Sequence, residues 1–349
     1  MKLLITGASG FLGQYVVAAA LRRGHQVRAV VRPATQAAKI AWSEHPNLEF
    51  VRLDLRRRAD IPAALADTEA VIHLAAAKSG DFYAQFAGTV VATENLLAAM
   101  AEANVKRLVA ISTFSVYDYI NMESGTVLDE TAPTVADPLT RDEYTQTKLL
   151  QETLVRNFEA DQSGLVTILR PGVIYGRDNL WTARLGAGLG EKAWLRIGAH
   201  AQLPLAYVEN CAEAIVLAAE QEAAIGQTLN VLDDNPPTQR RYTKQLMKRL
   251  PNRPRLVPVN WAVMRTLGDL AWAINQRFLG GQAKLPGILV PSRLQARFKQ
   301  LQYSNQKLKQ CLDWTPTYSL ETALDRSVSE AELLTVAAPD QALTQTVGS

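Results

Sequence analysis

Tyr144 and Lys148 stand four residues apart, a spacing that puts a phenol and an ammonium on one face of a helix. An ammonium beside a phenol favours the phenolate and lowers its pKa, so this pair is expected to give or take a proton near neutral pH. The run Ile111-Ser112-Thr113-Phe114-Ser115-Val116-Tyr117 follows an apolar stretch and supplies hydroxyls where such a strand would end. Near the start, Thr6-Gly7-Ala8-Ser9-Gly10-Phe11-Leu12-Gly13 follows one short apolar run and precedes a helical one. Glycine at these three places allows a tight turn, a close approach of backbone to a pyrophosphate, and close helix-to-strand packing. The motif in this setting predicts a dinucleotide site, with the anion at a helix N-terminus.

The second apolar run ends Val30-Val31-Arg32-Pro33, where an NAD-selective site needs a carboxylate to accept from the adenine ribose. A guanidinium cannot accept, but it suits a 2′-phosphate, with Arg28 or Lys39 as helpers. NADP(H) is therefore the preferred cofactor, with NAD(H) still admissible; the bland alternative is a surface arginine beside a loop. Asp54-Leu55, at the end of the third run, is placed to reach the adenine.

The elements that must position these residues alternate, short β-branched runs with alanine- and leucine-rich helical ones. Strands are expected near 2–6, 26–31, 49–53, 70–75, 106–112 and 165–170, and helices over 14–23, 62–66 and 92–104. Nearly continuous apolar strands suit a sheet covered on both faces, so the fold class is α/β, a Rossmann-type doubly wound parallel sheet with a smaller, interleaved C-terminal substrate lobe. The expected division is 1–170 for the dinucleotide-binding domain, 207–231 returning to it, 171–206 and 232–335 for the substrate lobe, and 336–349 as a mobile tail. Thr140-Arg141-Asp142-Glu143 has capping-box spacing and predicts a helix start with Thr140 as N-cap. Gly186-Ala187-Gly188-Leu189-Gly190 has no preceding strand and reads as a flexible loop. Between Pro258 and Arg293, Trp261, Met264, Leu267, Ala271, Ile274 and Phe278 recur as one apolar helical face. Its plainer role is packing on the second lobe's own core; the alternatives are a substrate cap or a membrane-surface element.

Composition removes whole classes. With 37 basic and 34 acidic residues among 349, the net charge of +3 is too small to build a strong field for nucleic acid. The two cysteines, Cys211 and Cys311, form no CxxC, which fits a reducing compartment and a cytoplasmic protein. The four histidines never fall at metal-ligand spacing, so no metal is expected. No run approaches the ~18 apolar residues of a membrane span, and the N-terminus runs straight into the glycine loop, so neither a span nor a signal peptide is expected.

Together with His73-Leu74-Ala75-Ala76, Leu169-Arg170-Pro171-Gly172-Val173-Ile174-Tyr175-Gly176, Ala206-Tyr207-Val208-Glu209-Asn210 and Leu312-Asp313-Trp314-Thr315-Pro316, these motifs closely resemble the extended short-chain dehydrogenases/reductases, over about 330 residues. The resemblance implies that Thr113, four before Tyr117, holds a substrate oxygen beside Tyr144, with Ser112 as runner-up. It implies that Lys148 bonds the nicotinamide ribose, that Pro171 and Val173 line the nicotinamide, and that Gly7, Gly10, Phe11, Leu12, Gly13, Arg32, Asp54, Leu55 and Ala75 also contact the cofactor.

Two departures bear on activity. Thr89-Val90-Val91-Ala92-Thr93 stands where the family usually has an asparagine, then glycine and threonine, and Phe114-Ser115 stands where its dehydratases carry acids. The pattern lies nearest the 3β-hydroxysteroid dehydrogenase-like members. The expectation is an NADP(H)-dependent enzyme interconverting a secondary alcohol and a ketone on a fairly apolar small molecule, with no nucleic-acid partner, membrane contact not favoured and a homodimer admissible. The rivals are a nucleotide-sugar epimerase and a non-catalytic NADP(H)-binding protein.

Overall fold

A computed structural model describes residues 1–35, 41–190, 192–283 and 285–334 of the chain. Lys39 and the expected tail 336–349 lie outside the described residues. Seven parallel strands form the main sheet: β1 (Lys2–Thr6), β2 (Gln26–Val31), β3 (Leu48–Arg52), β4 (Ala70–His73), β5 (Arg107–Ile111), β6 (Leu165–Pro171) and β7 (Thr228–Val231). Their spatial order is β3-β2-β1-β4-β5-β6-β7. The chain reverses its direction of travel across the sheet between β1 and β4, and the crevice there is where open α/β sheets bind ligands.

Alternation within single strands explains the layering. On β1, Leu3 and Ile5 face a core shared with α1 (Phe11–Arg22) and α4 (Val208–Glu220), while Leu4 faces the opposite core with α2 (Ala92–Glu102) and α3 (Glu143–Gln162). Helix α1 buries Val16, Val17, Ala18, Ala20 and Leu21, small enough together for close packing against the strands.

Beyond β6 a smaller sheet joins Gly186–Gly188, Ala193–Ile197 and Arg255–Val259, with α5 (Trp261–Phe278) and α6 (Pro291–Phe298) packed beside it.

Three local expectations are corrected. Helix α3 is capped by Asp142, whose carboxylate accepts from the Thr145 N–H at 3.2 Å, because Arg141 is extended and Thr140 closes a preceding short turn. The glycine run at 186 is no loop: Gly186 sits in an antiparallel pair with φ +129°, where a Cβ would meet the Leu195 carbonyl oxygen at 1.7 Å. Close backbone approach, rather than flexibility, accounts for that glycine. The apolar face of α5 is split: Met264 is buried and Trp261 and Ala271 are half-buried, whereas Leu267, Ile274 and Phe278 are exposed. The second lobe's core is narrower than the stripe and covers only one side of it.

Candidate active site

The glycine loop leaves β1 at Thr6 and turns through Gly7 at φ +69°, a conformation that only glycine adopts without strain. A Cβ on Gly7 would lie 2.9 Å from the Ala75 nitrogen, and one on Gly13 would lie 2.1 Å from the Gly7 carbonyl oxygen. Gly10 is the N-cap of α1 and offers no side-chain hydrogen bond, and the first turn carries no acid. The early N–H groups of α1 therefore stay available to an anion. The residues present fit a dinucleotide pyrophosphate.

At the next strand ends, Arg32 is exposed directly after β2. Arg52, not foreseen, is paired in register with Val31, and its guanidinium donates to the Thr35 carbonyl, so two cations border one turn. Arg28 cannot help them: it lies within β2, bonded to Glu49 at 2.9 Å and to the Ala64 and Ala66 carbonyls, each at 2.7 Å. Asp54 accepts from the Arg56 side chain and backbone, and Leu55 is buried beside it with its carbonyl taken by Asn95 at 3.0 Å.

Thr113 follows β5 and caps a short turn, its hydroxyl oxygen accepting from the Ser115 N–H at 3.2 Å. The phenol of Tyr144, from the first turn of α3, interacts with this Thr113 side chain. Ser112 points to the other side, donating to Glu152, which is bidentate to Arg170 at 2.9 and 2.7 Å. At the carboxyl end of β6, Gly172 packs so closely on Pro204 that a Cβ would lie 2.1 Å from its carbonyl oxygen, which fixes Pro171 and Val173 around it. The structure thus brings Thr113 and Tyr144 together and turns Ser112 away.

The electrostatics correct one expectation. Tyr144 is pushed up to about 12, not down, chiefly by burial, with Thr113 opposing and Asp142 reinforcing. Lys148 does not lower it, because the ammonium is turned inward, donating to the Ile111 carbonyl at 2.5 Å and to Gln151 Oε1 at 2.6 Å. Burial, then the nearby Lys78, brings Lys148 down to about 7, partly opposed by Glu152. At neutral pH the phenol is protonated and the lysine is poised between forms.

Behind Lys148 runs a buried chain whose every donor can be assigned. Thr93 gives its one hydroxyl proton to the Thr89 carbonyl at 2.6 Å. Its oxygen accepts from Gln151 Nε2 at 3.0 Å and, at 2.9 Å, from His73 Nε2, which must then carry the ring proton. His73 Nδ1 is left to accept from Thr6 Oγ1 at 2.7 Å, and Thr6 accepts from the Ala75 N–H at 3.2 Å. Burial first, and Lys148 second, hold the imidazole down to about 3, so it stays neutral. Lysine, α2, β4 and the glycine loop are thereby tied into one network. The only sequence signals for it were Gln151 at helical spacing from Lys148 and the departure at Thr89 to Thr93.

A model described as "NAD dependent epimerase/dehydratase family" matches residues 3–231. The 3-beta-hydroxysteroid dehydrogenase of Mycolicibacterium neoaurum is 29% identical over 283 residues, 72% of this chain and 72% of that protein. The 3 beta-hydroxysteroid dehydrogenase/Delta 5-->4-isomerase of Mycobacterium tuberculosis is 29% identical over 344 residues, 93% of this chain and 88% of that protein. In fold, the chain is similar to the UDP-glucuronic acid 4-epimerase from Bacillus cereus in complex with NAD, with a TM-score of 0.69 at 22% identity over 98% and 99% of the two chains.

Proposed function

Because this chain belongs to the NAD dependent epimerase/dehydratase family of extended short-chain dehydrogenases/reductases, and is thereby an NAD(P)-dependent oxidoreductase, we propose that it interconverts a secondary alcohol and a ketone on a fairly apolar small molecule, with NADP(H) as cofactor. The observation that carries this reading is the protonated Tyr144 phenol beside the Thr113 hydroxyl at the carboxyl end of the sheet. The bound nicotinamide would supply or accept hydride. Thr113 holds the substrate oxygen, and Tyr144 gives it a proton in the reducing direction, a role its raised pKa suits. Lys148 leaves the Ile111 carbonyl and Gln151 in part to hold the nicotinamide ribose, while Pro171 and Val173 exclude water from that side.

Gly7, Gly10, Phe11, Leu12, Gly13 and Ala75 form the pyrophosphate cradle, and Asp54 and Leu55 lie toward the adenine. Arg32, with Arg52 across the turn, selects the 2′-phosphate. In this reading residues 1–170 and 207–231 serve the cofactor, and 171–206 with 232–335 serve the substrate. The names of the two hydroxysteroid relatives support an apolar substrate. The test is NADPH oxidation by the purified protein across a panel of apolar ketones, with nucleotide sugars alongside. Net oxidation with a ketone supports the reading; a sugar epimer formed without net redox change replaces it.

A further inference from the structure

Helix α5 carries a second apolar stripe that the protein itself leaves uncovered. Val263, Leu267, Leu270, Ile274 and Phe278 are exposed by 54%, 48%, 56%, 45% and 73%. At ~100° per residue these five fall within an arc of about 80°, beside the buried line of Met264, Gly268 and Asn275. Trp272, 40% exposed, lies on the far side of the buried line, about 160° from the middle of the stripe, and is not part of it. Single exposed apolar side chains need no explanation, but a continuous row of five does.

What covers the row is constrained by charge and by area. Residues 261–299 contain six basic residues and one acid, Asp269, which is already paired with Arg265 at 3.8 Å. Arg277 borders the stripe, and neither it nor the exposed Arg293 makes an ion pair among the described residues. An 18-residue helix is ~27 Å long and presents roughly 300 Å² along one stripe, against about 800 Å² per partner in a stable protein interface. A second copy of the chain would bring the same cations together over too little area. Among the described residues no helix is long and apolar enough to cross a membrane. An apolar stripe edged by arginine on a helix lying flat is the arrangement of an interfacial helix.

We propose that the exposed face of α5 docks on an anionic phospholipid surface, its five apolar side chains entering the headgroup boundary with Arg277 at their edge. The docking does not depend on the proposed redox chemistry. An apolar substrate could then be taken up from the bilayer, since α5 belongs to the lobe assigned to the substrate.

The experiment is vesicle flotation of the full chain with phosphatidylcholine alone and with phosphatidylglycerol added. The expected result is co-flotation with the anionic vesicles only, weakened by raised salt. Leu267→Glu with Ile274→Glu should reduce partitioning at least ~10-fold, and Arg277→Gln about 5-fold, with unchanged circular dichroism. Should the double variant not fold, Arg277→Gln and the salt series still decide. Equal flotation on neutral vesicles, flotation that survives the double variant, or a wild-type dimer that this variant dissociates in sedimentation would each overturn the proposal.

Discussion

Gln151 Oε1 accepts from the ammonium of Lys148 at 2.6 Å, while its amide nitrogen reaches Thr93 at 3.0 Å. One side chain therefore links the candidate catalytic lysine to His73 and, through Thr6, to the strand end from which the glycine loop departs. Neutral contacts hold the lysine, which is why burial can bring it down to about 7. Gln151→Glu would set a carboxylate against the ammonium and raise the lysine pKa. The expected outcome is an alkaline limb of kcat/KM displaced by one pH unit or more, while Gln151→Leu lowers activity with a smaller displacement. Identical pH profiles in wild type and Gln151→Glu would remove Gln151 from this role.

Wild-type Lys148 makes a signed prediction of its own. Its folded pKa of about 7 lies below its ordinary 10.5, so between those values the unfolded chain binds the extra proton. Stability from this group consequently rises with pH across that window, and its burial penalty is fully present below about 7. Urea midpoints for wild type and Lys148→Met should converge, or reverse in favour of wild type, as pH climbs from neutral toward 10. A gap that widens against wild type would contradict the assignment.

Tyr144→Phe removes only the phenolic hydroxyl. Turnover with a reactive ketone is expected to fall by ~10²–10⁴, with NADPH affinity nearly unchanged by calorimetry. Retained turnover would show that another group delivers the proton.

Arg32→Asp exchanges a phosphate donor for a ribose acceptor. NADPH binding should weaken by roughly 10- to 100-fold, the worth of a charge-assisted hydrogen bond, and the NADPH-to-NADH ratio should invert. If Arg52→Ala shifts the ratio and Arg32→Asp does not, the selector is Arg52.

Gly13→Ala places a methyl 2.1 Å from the Gly7 carbonyl oxygen, with backbone rather than a movable side chain in the way. The loop must open, so dinucleotide binding is expected to be lost, with ~1–3 kcal/mol of stability. Gly24→Ala, where the added carbon meets nothing within 4 Å, serves as the control for glycine replacement. Its own cost is limited to its φ of +79° and should leave cofactor binding intact.

Much of the scaffold was legible because it rests on local periodicity. Continuous apolar runs such as Leu3 to Ile5 mark strands buried on both faces, and Gly7, Gly10 and Gly13 mark a loop that admits no Cβ at Gly7 or Gly13 and leaves little room for one at Gly10. The spacing of Tyr144 and Lys148 correctly put both on one helix, α3. What spacing could not reveal is direction after packing. Lys148 turns inward to Ile111 and Gln151, so burial rather than a neighbouring ammonium sets the state of Tyr144. Arg28 and Arg32 read alike in sequence, yet one is bonded to Glu49 and two carbonyls and the other is free to face solvent. The apolar period of α5 was plain in the chain, but whether it met a core depended on how much surface the second lobe could cover. Those outcomes depend on contacts between residues far apart in sequence: His73 with Thr6, Lys148 with Ile111, and Gly172 with Pro204. Desolvation and hydrogen-bond partners come from such contacts, and only the tertiary structure decides them.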